Sequence, residues 1–298
     1  MKSLGRYLVS LFLSVVMVFV SIAAIAALVL TVNVTSSKLC KMSDDSNLPE
    51  VVIGEIGKYY KNKYNTTGIP AEVYTSAITK EDISAEIERN IVSGFYSMEK
   101  ESSESSQFSL PELENSISDF FDNYAAENGF SDTEKLEARK QSEIKSAYKV
   151  ISNQCDVFRF NSLKEHGVLG KLSKVYPYRR VGVVSLLCAS LLIMVIFLAV
   201  NHKEKPAMLY WTGISEIIAG IFTAVPAAVF LSSGKLSAFT IKQPQIFTAY
   251  TSEIHAIAMA FLAAGLAVLV VGIAFIILYK IFSTRDESVA PTKPLPIN

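Results

Sequence analysis

Four apolar runs, each long enough to cross a bilayer as a helix, constrain this chain more than any other feature. Residues 7–32 carry no charge, and runs at 181–200, 207–231 and 254–279 follow a long polar stretch from Asn33 to Arg180. A hydrocarbon core of about 30 Å needs about 20 apolar residues in helical form, so all four qualify as transmembrane helices. The chain is 50% hydrophobic yet 19% charged, and the two characters are segregated along it. The expected fold class is therefore all-α, a four-helix transmembrane bundle with an inserted extracytoplasmic α-helical bundle domain. Its expected boundaries are 1–32 for a signal anchor and first span, 33–180 for the domain, 181–282 for spans two to four, and 283–298 for a cytoplasmic tail.

The first run could serve as a cleavable signal peptide, with "AAIAAL" as a weak cleavage site. Such peptides have shorter apolar parts, so an uncleaved anchor fits better. Basic residues near the ends of the spans divide almost evenly between the two sides. Lys2 and Arg6 before the first span, and the short loop NHKEKP, tip the balance towards cytoplasmic termini. The expectation is thus a multi-pass plasma-membrane protein with its polar domain outside the cytoplasm and the lipid bilayer as its first partner.

The polar stretch is helical in period throughout. SNLPEVVIGEIGKYY offers a capping candidate at Ser46 and an apolar face of Leu48, Val52, Ile56 and Tyr59 before Gly68–Pro70 interrupts it. TKEDISAEIERNIVSGFY starts at a Thr79 cap and repeats Ile83, Ile87, Ile91 and Phe95 every four residues. After the serine-rich connector MEKESSESSQ, a third helix from a Ser109 cap turns Leu113, Ile117, Phe120 and Tyr124 inward and stops at Gly129. A fourth opens with the capping-box pair Ser131 and Glu134 and is expected to run to about His166, before Gly167.

Fourteen acids lie between Glu81 and Glu134 against Arg89 and Lys100, whereas Lys135 to Arg180 carries eleven bases against four acids. Antiparallel packing lets these sets neutralise each other. Next to the second span, Lys171, Lys174, Arg179 and Arg180 in KLSKVYPYRR are candidates for contact with anionic lipid headgroups. Of three cysteines, Cys188 falls inside a span. Cys40 and Cys155 are a candidate disulfide, although Cys155 also falls at the apolar spacing of Ile144, Tyr148, Ile151 and Phe158.

The phrase "GIPAEVY…ITKEDI…I…FY" after a first span, with three further spans at the end, resembles a group of uncharacterised four-span membrane proteins of Gram-positive bacteria. That resemblance implies a bacterial plasma membrane and an outward-facing helical domain. It implies no activity, and no functional residue is carried over.

Glu216 is the one acid deep in any span, and such residues are functional candidates by default. One reading is a neutral tether, its carboxyl hydrogen-bonded to Ser14, Ser185 or Ser190 on a neighbouring span. A second is a relay for protons or cations or a ligand site, with Glu253 and His255 at the outer end of the fourth span as its access point, and a third is contact with a partner. Stripes of small residues, Ala23 and Ala27, then Gly220, Ala224 and Ala228, then Ala258, Gly265 and Gly272, allow close helix packing. No HExxH, GxSxG, Walker A, GxGxxG or CxxC occurs, and histidines at 166, 202 and 255 form no metal set. No cofactor, metal, enzymatic activity or nucleic-acid partner is expected. The function that remains is interaction or sensing in the cell envelope with an envelope or membrane protein, with a small transporter or channel component using Glu216 as the alternative.

Overall fold

The computed structural model describes residues 2–99, 109–130 and 132–288, and these form helices and turns with no strand among them. Most of the serine-rich connector, Ser131 of the expected capping box and the end of the tail lie outside the described residues. The helices are α1 (Lys2–Asn33), α2 (Ser36–Asp45), α3 (Leu48–Thr67), α4 (Ala71–Thr75), α5 (Lys80–Glu99) and α6 (Pro111–Asn128). They continue with α7 (Thr133–Cys155), α8 (Phe160–Glu165), α9 (Val168–Leu172), α10 (Arg179–Val200), α11 (Ala207–Ser232) and α12 (Pro244–Ser288). Four stretches, containing α1, α10, α11 and α12, are long and apolar enough to cross a membrane.

The chain divides into two compact units. One takes Met1–Asn33, Tyr178–Lys235 and the chain from His255 on; the other takes Val34–Pro177 together with Leu236–Ile254. The polar unit is thus completed by a segment that the sequence assigns to the connection between the third and fourth spans and the start of the fourth. Ala249, in the first turns of α12, is fully buried in this unit's core. The Tyr250 hydroxyl donates to the Phe158 carbonyl at 3.1 Å, and Gln245 and Gln243 bond Gln154 and Arg159.

The core of the polar unit follows the four-residue apolar rhythm. Leu48, Val52 and Ile56 of α3, Ile83, Ile87 and Ile91 of α5, Leu113 and Ile117 of α6, and Ile151 of α7 are all buried. Each such side chain contributes about 1.5–3 kcal/mol by leaving water. Thr79 and Asp82 cap α5 reciprocally, side chain to backbone N–H in both directions. Gly68 and Gly129 end α3 and α6 in the left-handed conformation, with φ of 73° and 65°.

Four expectations are corrected. The buried face of α6 is Leu113, Ile117, Phe121 and Ala125, so Tyr124 points out and is 53% exposed. On α3 the buried aromatic is Tyr60 rather than Tyr59, because steps of four hold the register through Ile56. The N-cap of α7 is Asp132, whose carboxylate accepts from the Lys135 N–H at 3.1 Å. That helix ends at Cys155 instead of near His166. The Asp156 carboxylate accepts from the N–H groups of Phe160 and Asn161 at 2.8 and 3.0 Å, starting α8 anew, and Arg159 sits at φ 58° in the break.

Candidate functional site

In the membrane-type unit, α1 turns Ser10, Ser14 and Ser21 to one buried face, since steps of four and seven bring residues back to the same side of a helix. Each finds a polar partner. Asn201, at the end of α10, donates to the Ser10 hydroxyl at 3.1 Å. Ser14 and Ser215 bond hydroxyl to hydroxyl at 2.7 Å. Ser21 donates to Glu216 Oε1 at 2.8 Å. Glu216 is therefore held by α1, through Ser21 rather than the Ser14, Ser185 or Ser190 expected. Met17, Ile193, Phe197 and Trp211 fill the apolar space in the same unit. His255 is exposed.

The small-residue stripes divide. Ala258, Gly265 and Gly272 are buried as expected, whereas Ala23 and Ala228 are exposed and Ala24 and Ala227 take the inner positions. Helices α11 and α12 touch backbone to backbone at Gly220 and Gly265 and again at Gly213 and Gly272. A Cβ on Gly220 would lie 2.7 Å from the Gly265 carbonyl oxygen, and one on Gly272 2.8 Å from that of Gly213.

In the polar unit the expected neutralisation of acidic and basic helices occurs at Asp122 of α6 and Lys140 of α7, 2.6 Å apart. The least expected acid is Glu86, whose side chain is fully buried between the Arg89 guanidinium and the Ser152 hydroxyl, the latter at 2.8 Å. The cysteines are free, so the candidate bridge between Cys40 and Cys155 is not formed. Burial pushes the Cys155 thiol well above its ordinary value, and burial with Glu88 and Asp44 nearby pushes Cys40 up to about 11. Among the described residues no group of three His, Cys, Asp or Glu is placed to hold a metal ion. Lys171, Lys174 and Arg180 are exposed and Arg179 is half-buried. Leu172 and Val175, between and beside the two lysines, are left out of the core at 43% and 69% exposure.

Neighbouring grooves open on the surface of the polar unit among the described residues. One, of about 470 Å³, is walled by the α3–α4 turn at Thr67, Gly68 and Ile69, by Phe120, Phe121 and Tyr124 of α6, by Phe130, and by Lys135, Leu136 and Arg139 of α7. The left-handed caps at Gly68 and Gly129 turn the chain at its rim. Phe120 and Tyr124, expected in the core, line it instead. The other groove, of about 520 Å³, is polar and acidic, with Glu112, Asn115, Asp119 and Asn123 of α6 facing Ser76 and Thr79.

Compared with family models, curated proteins and solved structures, the chain matches none. The geometry thus carries the functional reading by itself. It offers Glu216, a carboxylate within an apolar helix engaged by a serine, and a solvent-open aromatic groove with two cations at its wall.

Proposed function

We propose that the protein is a multi-pass plasma-membrane protein with both termini in the cytoplasm, whose polar helical unit lies outside and senses or captures a partner in the cell envelope. The observation that carries this reading is the self-contained core of the polar unit combined with its aromatic groove, a ligand-sized concavity on a rigid helical scaffold. Lys2 and Arg6, in the first turns of α1 ahead of its charge-free run, support the orientation. The joining of 236–254 to 34–177 agrees with four crossings, since the first and third connections of such a chain share one side in either orientation. The likeness of the GIPAEVY phrase to four-span proteins of Gram-positive bacteria points the same way. Exposed Leu172 and Val175 beside Lys171 and Lys174 suit a stretch resting at headgroup depth, with Arg179 and Arg180 contributing to the same contact.

Glu216, engaged by Ser21, supports the tether rather than the transporter reading. We assign no catalytic residue.

The test is the accessibility of a cysteine at Asn62, an exposed position on α3. In Asn62→Cys, a membrane-impermeant maleimide is expected to label intact cells above the level of the parent chain. Labelling only after permeabilisation would place the domain inside and overturn the reading.

A further inference from the structure

We propose that the aromatic groove of the polar unit binds a small aromatic anion, a one- or two-ring molecule carrying a single negative group. The proposal deepens the reading of this unit as a sensing domain and rests on it only for its biological setting.

Size, lining and charge agree on that ligand. A volume of about 470 Å³ falls within the range of about 300–1,000 Å³ typical of small-molecule sites. Four of the lining side chains are aromatic. Tyr124 and Phe130 are 53% and 52% exposed, a large apolar area left open among the described residues. Phe120 already stacks against Tyr124, with ring centres 6.4 Å apart, and meets Phe121 edge-on at 5.7 Å, so a further ring extends an existing aromatic arrangement.

Among the described residues, the charged groups lining the groove are cations, Lys135 and Arg139. Lys135 is paired with Asp132 at 2.9 Å, an exposed contact that a ligand can exchange. Arg139 is exposed and makes no ion pair among the described residues, leaving its planar fork open for a carboxylate. The neighbouring groove, which shares Phe120, is lined by Glu112 and Asp119 and repels the same ligand. Of these two neighbouring grooves, an anion is therefore favoured in the aromatic one.

The experiment is equilibrium dialysis of 2-naphthoate against the full chain in nanodiscs of zwitterionic lipid, with empty discs as the blank. Saturable retention of one molecule per chain is expected, with a Kd on the order of 100 µM for a ligand of this size. Arg139→Gln is expected to weaken it about tenfold, and the neutral 2-naphthamide to bind at least tenfold more weakly than 2-naphthoate. Tyr124→Ser combined with Phe130→Ser is expected to abolish retention; all three positions are exposed, and circular dichroism checks that the helices persist. Three results overturn the proposal: no saturable retention, equal retention of the neutral amide, or retention unchanged in both variants. Sedimentation adds a fourth: loss of self-association in the double variant, without naphthoate binding, would make this face a contact between copies. Discs expose both faces of the protein, so this outcome is independent of orientation, which the Asn62→Cys labelling decides separately.

Discussion

Ser21 of α1 and Glu216 of α11 are joined by a hydrogen bond of 2.8 Å from the serine hydroxyl to a carboxylate oxygen, across 195 residues of chain. The bond gives an acid inside an apolar helix, costly to desolvate, a fixed partner. Ser21→Ala is expected to lower the thermal midpoint in detergent by an amount equivalent to about 0.6 kcal/mol, the usual worth of such an interhelical bond. Glu216→Gln keeps an acceptor in place and is expected to change the midpoint less. In liposomes, pH-driven flux present in the parent chain and abolished in Glu216→Gln would reinstate the relay reading.

The serine face of α1 bears on the fate of the first span. Asn201, Ser215 and Glu216 all take partners from it, so removing α1 would strip hydrogen bonds from three polar side chains in an apolar setting. The intact mass of protein purified from membranes is expected to include residues 2–33. A mature chain beginning after this helix would show that those side chains find other partners.

One substitution is expected to act with opposite sign at two glycines. At Gly220 a methyl group meets the Gly265 carbonyl oxygen and the Leu269 amide nitrogen, each at 2.7 Å, so Gly220→Ala must separate α11 from α12. A loss of about 1–3 kcal/mol is expected. Gly54, inside α3, has nothing within 4 Å of the same position, and Gly54→Ala is expected to gain about 0.5–1 kcal/mol from helix propensity. Thermal midpoints of the two variants, measured side by side, check both signs.

Glu86 is buried with its ionic partner on the same helix and its hydroxyl partner on α7. Glu86→Ala leaves Arg89 without its carboxylate. The expected loss is about 3 kcal/mol, the low end for a broken buried pair, because the Arg89 side chain is 29% exposed and reaches water. Ser152→Ala is expected to cost about 1 kcal/mol. A double-mutant cycle should return less than the sum of the two, since both remove the same bond.

Asp156 supplies the pH dependence. Burial holds its carboxyl above the ordinary value, an effect that the Phe160 and Asn161 N–H groups only partly offset. Ionisation is therefore harder in the folded state than in the unfolded chain. The stability this group contributes is full below its unfolded pKa of about 3.9 and is lost as pH rises through the folded value. The midpoint of the parent chain minus that of Asp156→Asn is expected to increase as pH falls from 7 towards 4. A constant difference would show that burial does not govern this carboxyl.

The legibility of the structure in the sequence varied with the range of the interaction. Long apolar runs predict α1, α10, α11 and α12, and the steps of four from Ile83 to Phe95 predict the buried face of α5, because a helix expresses its own periodicity wherever it packs. The same rule misplaces Tyr124. On α6 both Phe120 and Phe121 satisfy an apolar spacing, and only the neighbouring helices decide which of them meets the core. That choice turned Phe120 and Tyr124 from core candidates into the wall of a groove. The end of α7 at Cys155 was equally hidden, since Asp156 reads as an ordinary helix residue until its carboxylate takes two N–H groups from the next turn.

By itself, then, the sequence determined the helical class, four helices apolar enough to cross a membrane, the position of the polar stretch between the first and second, and Glu216 as the isolated acid. These are local properties of hydropathy, periodicity and charge. Tertiary structure alone decided that Ser21 is the partner of Glu216, that 236–254 completes the polar unit, and that aromatic side chains gather with Arg139 at one groove. Each of these joins residues far apart in the chain. Such pairings are selected by which polar groups and surfaces bury one another on folding, a property of the packed whole that no stretch of sequence carries alone.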